Sequence, residues 1–283
     1  NSAGATINAG ENGIAVISGS STDGDITNSG IIEANFDGIK VHGSSQVDGS
    51  IINSGSITAT NGYGIAFISG SSTNGDITNS GTIQADFDGI KVYGGAVVHG
   101  SITNSASATI NAYSQGIYLN AGATVDVDII NIGEITGNDH SLYVGDSAVL
   151  TGNVTNSGTL TGGLYLHGTD AIDLDNSGVL DLVDSIDNLI SGDFNQDGDG
   201  EFAFELDLAS SYEIEASEWI LTVDGETDLD GLLNVTFADG FSLNDGDTFQ
   251  FIDVGTSLTG TFDDLAEGAE IGRSNGYALL ITY

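Results

Sequence analysis

Residues 12–42 read NGIAVISGSSTDGDITNSGIIEANFDGIKVH, and residues 63–93 read YGIAFISGSSTNGDITNSGTIQADFDGIKVY. The second stretch repeats the first after 51 residues without a gap. A fixed internal period of this size is the signature of a repeat architecture, in which each unit packs on its neighbours. The repeat therefore indicates a fold in which successive copies stack on one another.

Each repeat contains two shorter copies, which are marked by the tripeptide Asn-Ser-Gly or a close variant. The tripeptide starts at positions 28, 53, 79, 104, 131, 156 and 176. One turn of the structure therefore takes about 25 residues. Apolar residues alternate with polar ones around the tripeptide, and Gly and Asn separate these pieces. Such alternation is typical of short strands with one buried face, joined by tight corners. We therefore predict an all-β fold: a parallel β-solenoid (β-helix) of about seven turns over residues 1–190.

Stacking of turns in constant register places the asparagine of each tripeptide above the one before it. We expect each buried amide to bond the corner backbone of its own turn and to donate to the next turn. The predicted column contains Asn28, Asn53, Asn79, Asn104, Asn131, Asn156 and Asn176. Its role is structural.

The charge balance excludes several kinds of partner. The chain has 41 Asp and Glu against 3 Lys and Arg, a formal net charge of -38. Neutralising phosphates requires many basic residues, so nucleic acid is excluded as a partner. No stretch approaches the ~18–20 apolar residues that a membrane-spanning helix needs, so we expect no membrane insertion. Such charge is easiest to accommodate where ions screen it, and we expect a secreted, extracellular or cell-surface protein.

Beyond residue 190 the tripeptide rhythm stops, and we expect a β-rich cap or docking region over residues 191–283. At its start, an alternation of oxygen-bearing side chains around Gly198 resembles a calcium loop. The candidate calcium ligands are Asp193, Asn195, Asp197, Asp199 and Glu201. The position that normally holds a bidentate Glu is Phe204, so the alternative is a solvated acidic turn.

The segment GDITNSGTI at 75–83 resembles the passenger domains of autotransporters and related bacterial surface adhesins. The segment DGLLNVTFADGFSLNDGDTFQFIDV at 230–254, with GTFDDL and YALLITY after it, is similar to the closing segment of such domains. The resemblance covers most of the chain and implies a right-handed β-helix that is exported to the cell surface. It leaves function open, because such passengers include adhesins, proteases and structural fibres.

An enzyme is the less favoured class. Polysaccharide lyases on β-helices use Lys or Arg in proton abstraction, and this chain offers Lys40, Lys91 and Arg273 only. Lys40 and Lys91 occupy the same position in the two copies of the repeat, and we expect them to pair with Asp37 and Asp88. The four histidines stand beside no recognisable nucleophile motif. We therefore predict no enzymatic activity.

Residues 1–9 nearly duplicate residues 104–112, so the chain begins within a turn. An uncovered solenoid end exposes strand edges, so either a longer polypeptide was trimmed or a second copy completes the end. We therefore expect a structural subunit of an extracellular bacterial filament or matrix, a head-to-tail homopolymer assisted by cations, with Asn1, Ile7 and Tyr283 at the contact. The alternative is a monomeric adhesin passenger that binds a host target or a surface glycan. Candidate sugar-stacking rings are Tyr63, Tyr93, Tyr113, Tyr118 and Trp219.

Overall fold

The computed structural model describes residues 1–183, 187–206, 220–245 and 249–283. These residues form an all-β parallel solenoid of about eight turns, and no helix is present among them. The predicted fold class is therefore confirmed.

The strands are short, and most have two to six residues. In chain order they are β1 (Thr6–Ala9), β2 (Ile14–Ile17), β3 (Ser21–Thr22), β4 (Ile26–Asn28), β5 (Ile31–Ala34), β6 (Ile39–His42), β7 (Gln46–Val47), β8 (Ile51–Asn53), β9 (Ser56–Ala59), β10 (Ile65–Ile68), β11 (Ser72–Thr73), β12 (Ile77–Asn79), β13 (Thr82–Ala85), β14 (Ile90–Tyr93), β15 (Val97–Val98), β16 (Ile102–Asn104), β17 (Thr109–Ala112), β18 (Gln115–Asn120), β19 (Thr124–Val125), β20 (Ile129–Asn131), β21 (Glu134–Val144), β22 (Val149–Leu150), β23 (Val154–Asn156), β24 (Thr159–Leu166), β25 (Leu174–Asn176), β26 (Val179–Leu182), β27 (Leu189–Ile190), β28 (Phe194–Gln196), β29 (Glu201–Leu206), β30 (Leu221–Val223), β31 (Thr227–Leu229), β32 (Leu232–Phe237), β33 (Ile252–Val254), β34 (Leu258–Gly260), β35 (Glu270–Ser274) and β36 (Tyr277–Leu280).

A regular turn contains four strands, as β12 to β15 show. The first strand of each turn belongs to a 10-stranded sheet, which we call the ladder sheet, and the last belongs to a 6-stranded sheet. The two strands between them form two parallel stacks. These stacks merge into one 18-stranded sheet, which we call the broad sheet, because the long strands β21 and β24 run through both.

Register is constant from turn to turn, which is why the repeat was readable in the sequence. Ile65 pairs with Ile39 on one side and with Ile90 on the other. Because side chains alternate along a strand, the same apolar positions point inward in every turn. Ile65, Phe67 and Ile77 are fully buried in this continuous core.

The parallel stack does not stop at residue 190, where we expected the cap to begin. Strands β28, β31 and β34 extend the ladder sheet as far as Gly260, and β29 and β32 continue the broad sheet. Only β35 and β36 pair antiparallel within the described residues. Large apolar side chains such as Phe194 and Phe202 fill these last turns, so stacking continues there without the Asn-Ser-Gly tripeptide.

Candidate functional site

The predicted asparagines lie in one buried column on the ladder sheet. Asn28 Nδ2 donates to Asn53 Oδ1 at 2.8 Å, and Asn53 Nδ2 donates to Asn79 Oδ1 at 2.8 Å. The same bond runs on through Asn104, Asn131, Asn156 and Asn176, with lengths of 2.8 to 2.9 Å. All seven side chains are almost completely buried.

The other two tripeptide residues also act between turns. Ser54 Oγ donates to Ser29 Oγ of the preceding turn at 3.0 Å. A Cβ atom on Gly81 would collide with the carbonyl oxygen of Gly55, so this corner admits no side chain. The tripeptide is thus one amide, one hydroxyl and one position without a side chain, each required by the neighbouring turn.

Acidic side chains form a second column, at the corner before the ladder sheet. Asp25 Oδ1 accepts a hydrogen bond from the backbone N–H of Ser50 at 2.8 Å, and Ser50 Oγ accepts one from the N–H of Asp76 at 3.1 Å. Asp76 Oδ1 in turn accepts from the N–H of Ser101 at 2.9 Å. From Asp25 to Asp128 carboxylates therefore alternate with hydroxyls, which separates the like charges by two turns. Further along the column, Asp173 and Asp193 follow each other in successive turns.

Both lysines make the ion pairs that the sequence predicted. Lys40 Nζ lies 2.7 Å from Asp37 Oδ2, and Lys91 Nζ lies 2.9 Å from Asp88 Oδ2. The Lys91 ammonium also lies 4.4 Å from the ring centre of Tyr63. Burial by itself lowers the pKa of Lys91, but the hydrogen bond and charge of Asp88 raise it above its ordinary value.

A column of stacked tyrosines, which we did not predict, lies on the outer face of the broad sheet. The rings of Tyr93 and Tyr118 stack at 6.3 Å, those of Tyr118 and Tyr143 at 5.2 Å, and those of Tyr143 and Tyr165 at 4.9 Å. Burial and a hydrogen bond to Asp146 raise the pKa of Tyr165 to about 12. The sequence signal was available, because Tyr93, Tyr118 and Tyr143 recur at the interval of one turn.

Two histidines lie beside this column. The His140 ring contacts Tyr143 edge-on at 5.2 Å, and burial lowers its pKa. His167 stacks on Tyr165 at 6.0 Å. His99 lies elsewhere and pairs with Asp126, with 2.6 Å between Nδ1 and Oδ2.

The candidate sugar-stacking rings have different surroundings. Tyr93 and Tyr118 belong to the tyrosine column, where ring faces cover one another. Tyr63 lies against Phe87 with 5.7 Å between ring centres, whereas Tyr113 is 72% exposed. Trp219 lies outside the described residues.

The candidate calcium ligands are not brought together. Asp193 Oδ1 accepts a hydrogen bond from the Glu226 backbone N–H at 2.7 Å, and Asn195 Nδ2 donates to Asp175 Oδ1 at 3.3 Å. Asp197 Oδ1 accepts from the N–H of Asp199 at 3.1 Å. Glu201 lies on the next strand, where its Oε1 accepts from Asn234 Nδ2 at 2.8 Å.

These side chains face different neighbours because the segment follows the solenoid path through a strand, a corner and another strand. Among the described residues, no group of three or more His, Cys, Asp or Glu converges on a point where a metal ion could sit. Calcium binding stays a prediction. Calorimetric titration of the parent and of the Asp193→Ala/Asp197→Ala variant tests it, and equal heats would remove the site.

At the N-terminal end, the first turn is paired on one side within the described chain. Strands β1, β2 and β3 pair with β5, β6 and β7. Asn1 begins the asparagine column, because its Nδ2 donates to Asn28 Oδ1 at 2.8 Å. Ile7 is only partly buried, whereas Ile32, its partner one turn further on, is completely buried.

At the C-terminal end, the antiparallel hairpin β35–β36 and the final residues pack against the last turns. Leu279 and Ile281 are buried there. Tyr283 is engaged within its own chain: its hydroxyl accepts from the Phe262 N–H at 3.0 Å and donates to the Leu265 carbonyl at 2.8 Å. Strand β34 (Leu258–Gly260) is exposed along its whole length.

The fold and these columns define the class of the protein: a repeat β-solenoid with a buried column of hydrogen-bonded asparagines. Comparison with known protein families, curated proteins and solved structures finds no match. In the described part of the chain, no helix has the length and apolar character required to cross a membrane.

Proposed function

We propose that this chain is a structural subunit of an extracellular bacterial filament or matrix, in which copies assemble head-to-tail. The observation that carries the proposal is the constant parallel register of the stack, in which each turn pairs its strands with the next, as Ile65 does with Ile39 and Ile90. Exposed backbone N–H and C=O groups on a strand edge are a template for further pairing. One turn of β-solenoid matches another in strand spacing, and in the proposed filament turns of two copies pair in this way.

The opposite end offers a surface for this contact. Strand β34 is the last strand of the ladder sheet and is exposed, so it can pair with the first turn of the next copy. Because Tyr283 is held by Phe262 and Leu265 of its own chain, we assign the contact to β34 rather than to Tyr283. A contact between two different surfaces does not close on itself, and it therefore generates an open filament.

Charge sets the conditions for assembly. Each copy carries a formal net charge of -38, so copies repel one another at low ionic strength. The repulsion is screened beyond ~8 Å at physiological ionic strength. We therefore expect cations, calcium included, to promote assembly, as in a secreted protein of an ion-rich setting.

Electron microscopy and sedimentation velocity of the purified chain, with calcium and then with chelator, test the proposal. The variant Ile7→Lys places a charge in the apolar cross-section of the first turn, and we expect it to abolish filaments. The control Ile132→Lys changes a residue that is 44% exposed in a middle turn. Circular dichroism verifies that both variants keep their β-sheet signal. A parent chain that stays monomeric under all these conditions, or filaments that survive Ile7→Lys, would refute head-to-tail assembly.

The second candidate is a monomeric adhesin passenger, which the resemblance to surface adhesins suggested. Large aromatic side chains exposed at one corner favour it, since exposed rings mark interaction sites. Phe36 is 50% exposed and Phe87 is 47% exposed. A monomer in sedimentation that still adheres to a surface ligand would support this candidate over the filament.

A further inference from the structure

Three exposed aromatic side chains follow one corner of the solenoid, and we call them the aromatic stripe: Phe36, Phe87 and Tyr113. They occupy the corner between the second and third strands of their turns. Phe36 and Phe87 are two turns apart and Tyr113 lies one turn beyond, so the stripe spans ~14 Å along the axis. Phe36, Phe87 and Tyr113 are 50%, 47% and 72% exposed.

The rings of the stripe differ from those of the tyrosine column in having no other ring stacked on them. Within the described residues, Phe36 and Tyr113 have no aromatic neighbour, and Phe87 has one tilted contact, to Tyr63 at 49°. In the tyrosine column, by contrast, Tyr118 has neighbours stacked on both sides. A flat ligand can therefore lie against the stripe but not against the column.

The charge around the stripe disfavours anionic ligands. Its two inner carboxylates, on Asp37 and Asp88, are neutralised by the paired lysines at 2.7 and 2.9 Å. Glu11 and Asp86 are exposed nearby and repel anions, as does the rest of this acidic chain. An uncharged ligand meets neither repulsion nor the cost of removing a charge from water.

The backbone and the width of the stripe exclude other occupants. Phe36, Phe87 and Tyr113 already donate their backbone N–H groups to neighbouring turns, at 3.1, 3.1 and 3.0 Å, so an extended peptide finds no strand edge here. A surface one ring wide and ~14 Å long offers on the order of 100–200 Å², against ~800 Å² per partner in a stable protein interface. The stripe fits a narrow linear polymer better than a folded protein or a second copy.

We infer that the aromatic stripe binds a neutral polysaccharide, which lies along the solenoid axis with the C–H faces of its sugar rings on Phe36, Phe87 and Tyr113. The electron-rich ring faces attract the slightly positive C–H groups, and the flat sugar faces bury apolar area against them. This inference does not rest on head-to-tail assembly, because the stripe lies on the side of the solenoid rather than at its ends.

Co-sedimentation of the full chain with insoluble cellulose and with chitin tests the inference, with alginate beads as the anionic comparison. We expect retention on at least one neutral polymer and none on alginate. The triple variant Phe36→Ala/Phe87→Ala/Tyr113→Ala should lower the retained fraction about tenfold. The three side chains are exposed, so the variant should fold, which thermal melting verifies. The matched control Val127→Ala/Ile132→Ala/Tyr277→Ala removes three exposed apolar side chains elsewhere and should bind like the parent.

Two results would overturn the inference. One is a parent chain that stays in the supernatant with both neutral polymers, and the other is a triple variant retained as strongly as the parent. If the triple variant instead loses a lateral association of the parent seen in sedimentation velocity, without any effect on retention, the stripe is a contact between copies and not a glycan site.

Discussion

Replacing Asn79 by leucine removes one step of the asparagine column in a middle turn. Asn79 is completely buried. Its Nδ2 donates to Asn104 Oδ1 at 2.9 Å and to the Thr109 carbonyl at 3.1 Å, and its Oδ1 accepts from Asn53 Nδ2 at 2.8 Å. Leucine has a similar size but makes none of these bonds.

Asn79 also bonds Gly81: the Gly81 carbonyl, 3.2 Å from Nδ2, shares a hydrogen with the other two acceptors, and the Gly81 N–H donates to Oδ1 over a longer 3.4 Å. The main loss falls unequally on the other three partners. Asn53 Nδ2 keeps a bond to the Thr82 carbonyl at 3.2 Å, so it stays satisfied. Asn104 Oδ1 has no other donor among the described contacts and becomes a buried acceptor without a partner, which costs ~1–3 kcal/mol. Each of the other two lost bonds costs ~1 kcal/mol, and burial of the leucine side chain returns ~1 kcal/mol. The free energy of unfolding should therefore fall by about 2–4 kcal/mol.

Thermal and urea unfolding of Asn79→Leu against the parent measure this loss. At roughly 2–4 °C per kcal/mol for a chain of this size, the Tm should fall by roughly 5–15 °C. The control is Asn74→Leu, an exposed asparagine of the same turn whose Nδ2 bonds Asp48 at 3.4 Å, and it should change stability by less than about 0.5 kcal/mol. Because each turn contacts only its neighbours, amide exchange should rise first in the turns of Asn53, Asn79 and Asn104. A parent-like melting curve for Asn79→Leu would show that the column does not stabilise the solenoid.

Three further predictions concern charged and titrating groups. Asp88→Asn should lower the unfolding free energy by about 1–2 kcal/mol, because it leaves the half-buried Lys91 ammonium without its counter-charge, while the exposed control Asp86→Asn should have little effect in the same urea titration. Burial lowers the pKa of His140 below the value near 6.5 that it has in the unfolded chain. Its contribution to stability is therefore present above pH ~6.5 and is lost as the pH falls through the lowered pKa of the folded protein. An NMR titration of His140 with a midpoint at or above 6.5 would contradict this prediction. The pKa of Tyr165 is raised to about 12, so its stabilising contribution is present below pH ~10 and is lost between pH ~10 and ~12. The variant Tyr165→Phe should remove the component with the highest midpoint from the absorbance titration of the tyrosines. An unchanged titration would refute this prediction.

The sequence predicts the repeat region well because its information is periodic. A 51-residue repeat with alternating apolar residues specifies strands, inward faces and register together, and the Lys40–Asp37 and Lys91–Asp88 pairs follow from spacing within one turn. The tyrosine column carried the same signal, but its regular interval is broken by a shorter step between Tyr143 and Tyr165. Its rings also point outward, where no hydrophobic pattern marks them.

The region after residue 190 was less predictable because its turns keep the stacking but change the residues that mark it. At the position of the column asparagine stands Gln196, which accepts from Asn176 Nδ2 at 3.3 Å and donates to the Asp230 and Leu232 carbonyls. The longer Gln196 side chain thus continues the hydrogen-bonded column without an Asn-Ser-Gly tripeptide. The segment with the calcium-loop pattern follows the strand path, where Asp193, Asn195 and Glu201 each bond a different neighbour; calcium binding there stays a prediction.

The alternation of carboxylate and hydroxyl from Asp25 to Asp128 sets the unit by which that part of the chain can lengthen and keep its charge spacing. Duplicating a single turn would place Asp25 directly over another aspartate at ~4.8 Å, whereas copying a pair of turns preserves a spacing of ~10 Å. The smallest segment that can be copied while keeping the alternation is therefore a pair of turns, and the 51 residues that separate Asp25 from Asp76 are such a pair. A longer relative built by the same rule would gain length in steps of ~10 Å, and its size would reflect how many such pairs it contains.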